Sequence, residues 1–304
     1  MKNCLVIGGS GFIGRNLVLE LAKREYKVSG FSNVAPPGDF NRRFDWHLGD
    51  FADPTAVAAA VDGMDVVFHL VSTSVPGTAQ ANIAADIDNN VKASVQFMDI
   101  CSRHKVGRVV FISSGGTVYG PDVAVPISED APTNPISAYG VTKLSIEKYF
   151  YMYAHTQGLR STVVRLSNPY GPNQDAGKIQ GVIPIFLRKI LNGETICIWG
   201  DGSVVRDYIH IDDVNDALLR VAAEDAPFSL YNIGSGVGHS LLEVIEQIAA
   251  ICGKTPVVKF MPARGFDVPS NILDIRRARH MLGWAPRINL HAGIEMTHRG
   301  MTVD

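Results

Sequence analysis

Charge of one sign is what this 304-residue sequence has least of: 28 lysines and arginines stand against 30 aspartates and glutamates, a formal net charge of −2. That balance argues against the basic footprint of a nucleic-acid binder and against a polybasic membrane patch. Cysteine is scarce too. Cys4, Cys101, Cys197 and Cys252 lie far apart without paired spacing, so they read as buried free thiols rather than a disulfide framework or a metal site. No apolar run reaches membrane-spanning length. Because the first apolar run starts at residue 3, no leader is expected, and a soluble cytoplasmic protein follows as the expectation. No internal repeat or low-complexity tract stands out. What is present is apolar residues, 46% of the chain, enough for a substantial core in one large domain or two small ones.

The rest of the chain is organised around residues 1–14. Asn3-Cys-Leu-Val-Ile7 is an apolar run of strand length with β-branched residues at its end. Gly8-Gly-Ser-Gly11-Phe-Ile-Gly14 follows at once, and residues 15–23 carry Leu17, Val18, Leu21 and Ala22 at helical spacing. Strand, glycine turn and helix start thus arrive in the order a dinucleotide fold needs. Gly8 permits a sharp turn, Gly11 leaves room for a pyrophosphate, and Gly14 lets the helix lie close. The phosphates meet the N–H groups at the positive end of the helix, around Phe12 and Ile13.

Residues 26–31 read as a second strand. An acidic residue near its end would bind the adenosine ribose of NAD, but Ser32 and Asn33 stand there. Serine no longer repels a 2′-phosphate, which leaves NADP open beside NAD; Arg42 and Arg43 read as a solvated loop. Residues 45–48 form a third strand, followed by Asp50, a candidate acceptor for the adenine amino group or a turn residue. Asp53 and Pro54 cap a helix. Residues 65–70 are a buried parallel strand with His69 packed inside it, and residues 84–104 a long helix containing Asn90. Residues 107–113 are the fifth strand, and the helix opening at Tyr139 runs to about 157. Strands alternating with helices to residue 166 predict an α/β fold with a doubly wound parallel sheet. Beyond it come a turn-rich loop over 168–174, a helix over 181–191, a strand at 206–211 with an aspartate-capped helix, and a capping box at Ser240–Glu243. This reads as a smaller α/β lobe: 1–167 form the dinucleotide domain, rejoined by about 205–235, and 168–204 with 236–304 form the substrate lobe.

Tyr139 and Lys143 lie one helical turn apart and face the same way. A lysine ammonium near a phenol stabilises the phenolate and lowers its pKa, giving a base for an alcohol proton while hydride leaves the carbon.

Taken together, Gly8–Gly14, Asp50, Thr117-Val-Tyr-Gly120, Tyr139–Lys143, Asn168, the run Arg206–Asp213 and Arg264 resemble the nucleotide-sugar epimerases of the extended short-chain dehydrogenase/reductase superfamily, UDP-galactose 4-epimerase and its relatives. The resemblance covers nearly the whole chain and implies a Rossmann sheet with resident NAD. In that family the tyrosine removes the O4 proton as C4 hydride goes to NAD, and the 4-keto sugar turns over and takes hydride back. It further implies that Phe51, Leu70, Val71, Ser72, Asn90 and Ser113 line the cofactor. Thr73, Ser74, Val182, Tyr208, Asp267 and Asn271 lie with the nucleotide sugar, and Asn168, Arg206 and Arg264 hold its diphosphate, as paired guanidinium groups suit a pyrophosphate. Family members pair as homodimers through a four-helix bundle, for which Val95, Met98, Tyr149, Tyr151 and Met152 offer apolar contacts.

One position departs from the family. The Ser or Thr three residues before Val-Tyr-Gly is Gly115 here, which leaves Ser114 or Thr117 to supply the hydroxyl. The pair Gly115-Gly116 also lacks the Asp-Glu of sugar 4,6-dehydratases. The reading is a UDP-sugar 4-epimerase. A 4-ketoreductase that releases NAD(P)H is the alternative, and a catalytically idle cofactor-binding protein the remote one.

Overall fold

The computed structural model describes residues 2–24, 26–36, 40–174, 181–263 and 268–301. Its strands, in chain order, are β1 (Asn3–Ile7), β2 (Lys27–Ser32), β3 (Asp45–Leu48), β4 (Val66–His69), β5 (Arg108–Ser114), β6 (Ser161–Leu166), β7 (Asn168–Tyr170), β8 (Ile196–Trp199), β9 (Val205–His210), β10 (Phe228–Ile233), β11 (Gly238–Ser240), β12 (Val258–Met261) and β13 (Ser270–Asn271). Seven of them form one sheet in the order β10-β6-β5-β4-β1-β2-β3. The pairs β1–β2, β1–β4, β2–β3 and β4–β5 are parallel. The expected doubly wound sheet is therefore present. Because helices cover both faces, β1 from Cys4 onward, β4 and β6 are buried, and the sequences of β1 and β4 are largely apolar runs rather than alternating ones. Strand order reverses at β1, where Ile7 and His69 lie side by side at the C-terminal ends of β1 and β4. Open α/β sheets bind their ligands at such a point.

The chain forms two compact units: Met1–Tyr119 with Thr133–Arg165 and Ala217–Tyr231, and Gly120–Pro132 with Leu166–Asp216 and Asn232–Asp304. The chain re-enters the first unit at Ala217–Tyr231. The first unit's core joins Leu5, Ile7, Phe31, Phe97, Phe111, Phe150 and Val163. In the second, β7, β11 and β13 all pair with β9, and β8 pairs with β12 in parallel. Helices Val182–Asn192, Leu241–Cys252 and Leu290–Met301 close over Tyr170, Ile183, Leu187, Tyr208, Ile245 and Ile294. The Ser240–Glu243 capping box forms as read: Ser240 Oγ accepts from the Glu243 N–H at 3.2 Å, and Glu243 Oε2 from the Ser240 N–H at 2.7 Å. Asp53 likewise caps the helix Pro54–Val61.

Five expectations are corrected. The single helix over 84–104 is three segments: α-helical Ile83–Asp86, a π-helical turn Ile87–Lys92, and α-helical Ala93–Arg103. The cause is local, because the Asn90 side chain donates to the Asp86 carbonyl at 3.1 Å, competing with the backbone for that acceptor. The turn-rich stretch 168–174 opens with strand β7, which only its pairing with β9 reveals. The carboxylate of Asp213 does not cap its own helix, Ile211–Ala222. It accepts instead from the N–H groups of Arg287 and Ile288, both at 3.0 Å. Cys4 and Cys101 are buried, but Cys252 is half-buried and Cys197 exposed, since β8 alternates inward Ile196 and Ile198 with outward Cys197 and Trp199. Met98 is fully buried in the first unit's core, which removes it from any surface contact. Among the described residues no helix is long and apolar enough to cross a membrane.

Candidate active site

The glycine turn follows β1 directly. Gly8 has φ +84°, a left-handed conformation that a side chain would strain. A Cβ on Gly14 would stand 2.3 Å from the Gly8 carbonyl oxygen, so the helix Phe12–Lys23 can lie on the turn only with glycine there. Gly11 is the helix N-cap, no side chain caps that end, and no acidic residue sits in its first turn. The N–H groups of Phe12 and Ile13 therefore open a positive helix end, without competition from a carboxylate. A dinucleotide pyrophosphate fits this cradle. At the end of β2, Ser32 is buried and its hydroxyl donates to the Val34 carbonyl at 2.7 Å, while Asn33 is exposed. Asp50 makes a turn, its Oδ1 accepting from the Ala52 N–H at 2.9 Å, and Phe51 packs in the core against the His69 ring. Leu70 and Val71 lie against Gly8, within 3.0–3.1 Å of where its Cβ would be.

Helix Ala138–Thr156 carries the second cluster. Ser137 caps it, and Gly140 lets its first turn press on the Thr117 carbonyl, where a Cβ would come within 2.6 Å. Tyr139 and Lys143 do face the same way: the Lys143 Nζ lies 5.7 Å from the Tyr139 ring centroid. Lys143 is buried, donates to the Ile112 carbonyl at 3.0 Å, and sits 4.9 Å from the Phe111 ring centroid. Burial pulls Lys143 down to about 8, against the raising effect of the Asp86 and Glu147 carboxylates. Burial pushes Tyr139 up to about 12; a hydrogen bond with Ser72 works against this and the charge of Asp86 works with it. The lowering of Tyr139 by Lys143 that the sequence suggested is thus absent from the protein alone, because desolvation of the phenolate dominates.

The remaining first-unit residues form a hydrogen-bonded group beside this pair. Ser72 Oγ donates to the Ser74 carbonyl at 2.9 Å. The Thr73 N–H donates to Asn90 Oδ1, and Asn90 Nδ2 donates to Thr73 Oγ1, both at 2.9 Å. The hydroxyl of Ser74 goes to Asp86. Ser113 donates to Glu147 Oε1 at 2.5 Å, and Glu147 pairs with Arg165 at 2.7 Å, both side chains 3% exposed. Thr117 Oγ1 is buried with no hydrogen-bond partner among the described residues. Ser114 is half-buried at the end of β5. His69 is buried among Phe51, Phe97 and Phe111, bonded to Ser94 Oγ at 2.9 Å, and burial holds it neutral well below its usual range.

Sequence reasoning missed Asp86 and Glu147. Glu147 had a signal, since Tyr139, Lys143 and Glu147 recur every four residues on one helix face. Asp86 had only its spacing of four from Asn90.

In the second unit, Arg206 and Asn271 are register partners on β9 and β13. The Arg206 Nη1 donates to the Val268 carbonyl at 2.7 Å, and Asn271 is buried. Asn168 donates from Nδ2 to the Asp207 carbonyl at 2.9 Å. Val182 opens its helix after Gly181, and Tyr208 is buried in the lobe core. Arg264 and Asp267 lie outside the described residues.

A family model described as the NAD dependent epimerase/dehydratase family matches residues 4–234. A UDP-glucose 4-epimerase of Mycolicibacterium smegmatis is 34% identical, with 96% of each chain covered. A dTDP-4-dehydro-6-deoxyglucose reductase of Escherichia coli is also 34% identical, over 96% of this chain and 95% of its own. The crystal structure of the Thermotoga maritima UDP-glucose 4-epimerase with UDP-glucose is 33% identical and superposes with a TM-score of 0.93, covering 99% of this chain and 100% of that one. The glycine cradle, the Tyr139–Lys143 pair and these likenesses make one conclusion: the chain belongs to the NAD-dependent epimerase/dehydratase family of extended short-chain dehydrogenases/reductases, and the dinucleotide its cradle takes is NAD.

Proposed function

We propose that this enzyme is a nucleotide-sugar 4-epimerase acting on a UDP-hexose or UDP-N-acetylhexosamine. The single observation that carries the reading is half-buried Tyr139 set beside buried Lys143, in the unit that also holds the dinucleotide cradle. Bound NAD supplies a hydride acceptor and donor and a positive ring. Tyr139 Oη takes the proton of the sugar hydroxyl being oxidised and returns it after the ketone has turned over. With Tyr139 raised to about 12 in the protein alone, the base forms only once a positive charge is bound beside it, so the free enzyme holds a neutral phenol. Lys143 donates from a buried, charged position and loses that charge above about pH 8. Thr117, with its orphaned buried hydroxyl, supplies the hydrogen bond that Gly115 lacks, with Ser114 beside it. Arg206 holds the diphosphate as a guanidinium. Asn271 is small where a bulky aromatic would crowd an N-acetyl group, which admits 2-acetamido sugars. Asn271→Tyr is then expected to lower kcat/KM for UDP-N-acetylglucosamine relative to UDP-glucose, and an unchanged preference removes this assignment. For assembly, Tyr149, Tyr151 and Met152 present exposed apolar surface on helix Ala138–Thr156, which suits a homodimer through a four-helix bundle.

A second reading, a 4-ketoreductase, is favoured by the equal identity to a reductase. Two measurements separate the readings. Denatured protein that releases NAD, together with interconversion of UDP-glucose and UDP-galactose without added cofactor, supports the epimerase. An empty site that consumes NADPH with a 4-keto sugar supports the reductase.

A further inference from the structure

The carboxylate of Asp86 is buried, 4% exposed, at the entry to the π-helical turn, and the roles given above leave it out. Three side chains answer it. Thr142 Oγ1 donates to Oδ2 at 2.5 Å, Asn90 Nδ2 donates to Oδ1 at 2.9 Å, and the Ser74 hydroxyl donates to Oδ1. Each of the three is joined to the reactive pair. Thr142 is the residue before Lys143, in the helical turn that separates it from Tyr139. Ser74 accepts at its carbonyl from Ser72, and Ser72 bonds Tyr139. Asn90 holds Thr73 in the same loop by two hydrogen bonds. Among the described residues no cation makes an ion pair with Asp86; two hydroxyls and an amide meet its carboxylate, and its charge acts on both reactive groups. Structural need alone does not call for a carboxylate here, because a neutral amide also bonds hydroxyls.

We propose that Asp86 is a positioning residue for Tyr139 and Lys143: its carboxylate ties the helical turn between them to the loop after β4. The inference rests on the proposed reading only for the choice of substrate. The other ionisable groups around the pair are Glu147 on the same helix, bonded to Arg165 of β6, and His69 of β4, held neutral by burial. Asp86 raises Lys143 and raises Tyr139. Removing its charge therefore moves both titrations to lower pH: the phenol ionises earlier and the ammonium is lost earlier.

The test is Asp86→Asn in the NAD-bound enzyme, assayed with UDP-glucose across pH. Both limbs of the kcat profile are expected to move to lower pH, with kcat down about 10-fold at the wild-type optimum and KM within about 2-fold. Tyrosinate absorbance, taken as the difference between each NAD-bound protein and its Tyr139→Phe counterpart, reads the phenol without any substrate and is expected to titrate at lower pH in Asp86→Asn. Thr142→Val removes the tie and leaves the charge, so kcat falls with no shift of either limb, and Thr142→Ser restores it. An unmoved tyrosinate midpoint overturns the electrostatic half, and full activity in Thr142→Val overturns the positioning half. Should Asp86→Asn fail to fold, Asp86→Glu takes its place, with the charge kept and both limbs in place but kcat reduced. If wild type turns over no UDP-sugar while the tyrosinate midpoint still moves, the functional reading fails and this one stands.

Discussion

Two carboxylates in each unit, Glu147 and Asp86 in the first and Asp207 and Asp213 in the second, are buried to comparable depth and answered in opposite ways. In the first, Glu147 is met by a guanidinium and a hydroxyl, and Asp86 by two hydroxyls and an amide, with the Lys143 ammonium in the same neighbourhood. In the second, Asp207 is fully buried and accepts from the backbone N–H groups of Ser235, Gly236 and Leu273 together with the Ser235 hydroxyl. Asp213 likewise takes the N–H groups of Arg287 and Ile288. Backbone donors cannot titrate and are fixed by the chain path, so those carboxylates hold loops in place. Side-chain partners bring charges of their own, and a cluster of them sets protonation states. At Asp207 and Asp213 the buried charge holds loops, whereas at Glu147 and Asp86 it stands beside the Tyr139–Lys143 pair.

The sharpest way to break this contrast is to remove one partner from each kind of site. Arg165→Ala leaves the Glu147 carboxylate buried without its cation and should lower unfolding stability by about 4 kcal/mol. Asp207→Ala orphans several backbone donors and should cost about 3 kcal/mol. Urea unfolding reads both, and a loss below about 1 kcal/mol at either site would erase its half of the contrast. Tyr139→Phe should separate chemistry from scaffold. Turnover is expected to fall at least about 100-fold, equivalent to about 2.7 kcal/mol, while the urea midpoint and NAD retention hold. Near-normal turnover would take Tyr139 out of the reaction.

The smallest effect compares the two buried histidines. Folded His69 stays neutral well below 6.5, whereas an unfolded histidine takes a proton there. Its share of stability is therefore complete above pH 6.5 and is lost as pH falls, by about 1.4 kcal/mol per pH unit. His210 is also lowered by burial, but Asp212 and Asp213 raise it, so it contributes less. His69→Phe should flatten the acid side of a plot of stability against pH more than His210→Phe does; equal slopes would show that the nearby carboxylates do not matter.

Fourteen residues were enough to read the dinucleotide cradle, because turn, helix start and close packing are all made by neighbours in sequence. The Tyr139–Lys143 pair, the Asp53 cap and the Ser240 capping box were legible for the same reason: helical spacing and caps are local geometry. Strand β7 was not, since a three-residue strand beginning Asn-Pro exists only through its pairing with β9. Nor was the role of Asp86, whose hydroxyl partner Thr142 is 56 residues away, or that of Asp207, which reaches Leu273 across 66. The state of Tyr139 shows the same boundary. The sequence by itself determined that a phenol and an ammonium stand one turn apart, and from that a lowered phenol was expected. Only the tertiary structure decided that Lys143 is buried and that the half-buried phenol is withdrawn from water. Removing water from a charge costs more than a neighbour 5.7 Å from the ring returns, and that cost is set by every segment packed around the pair.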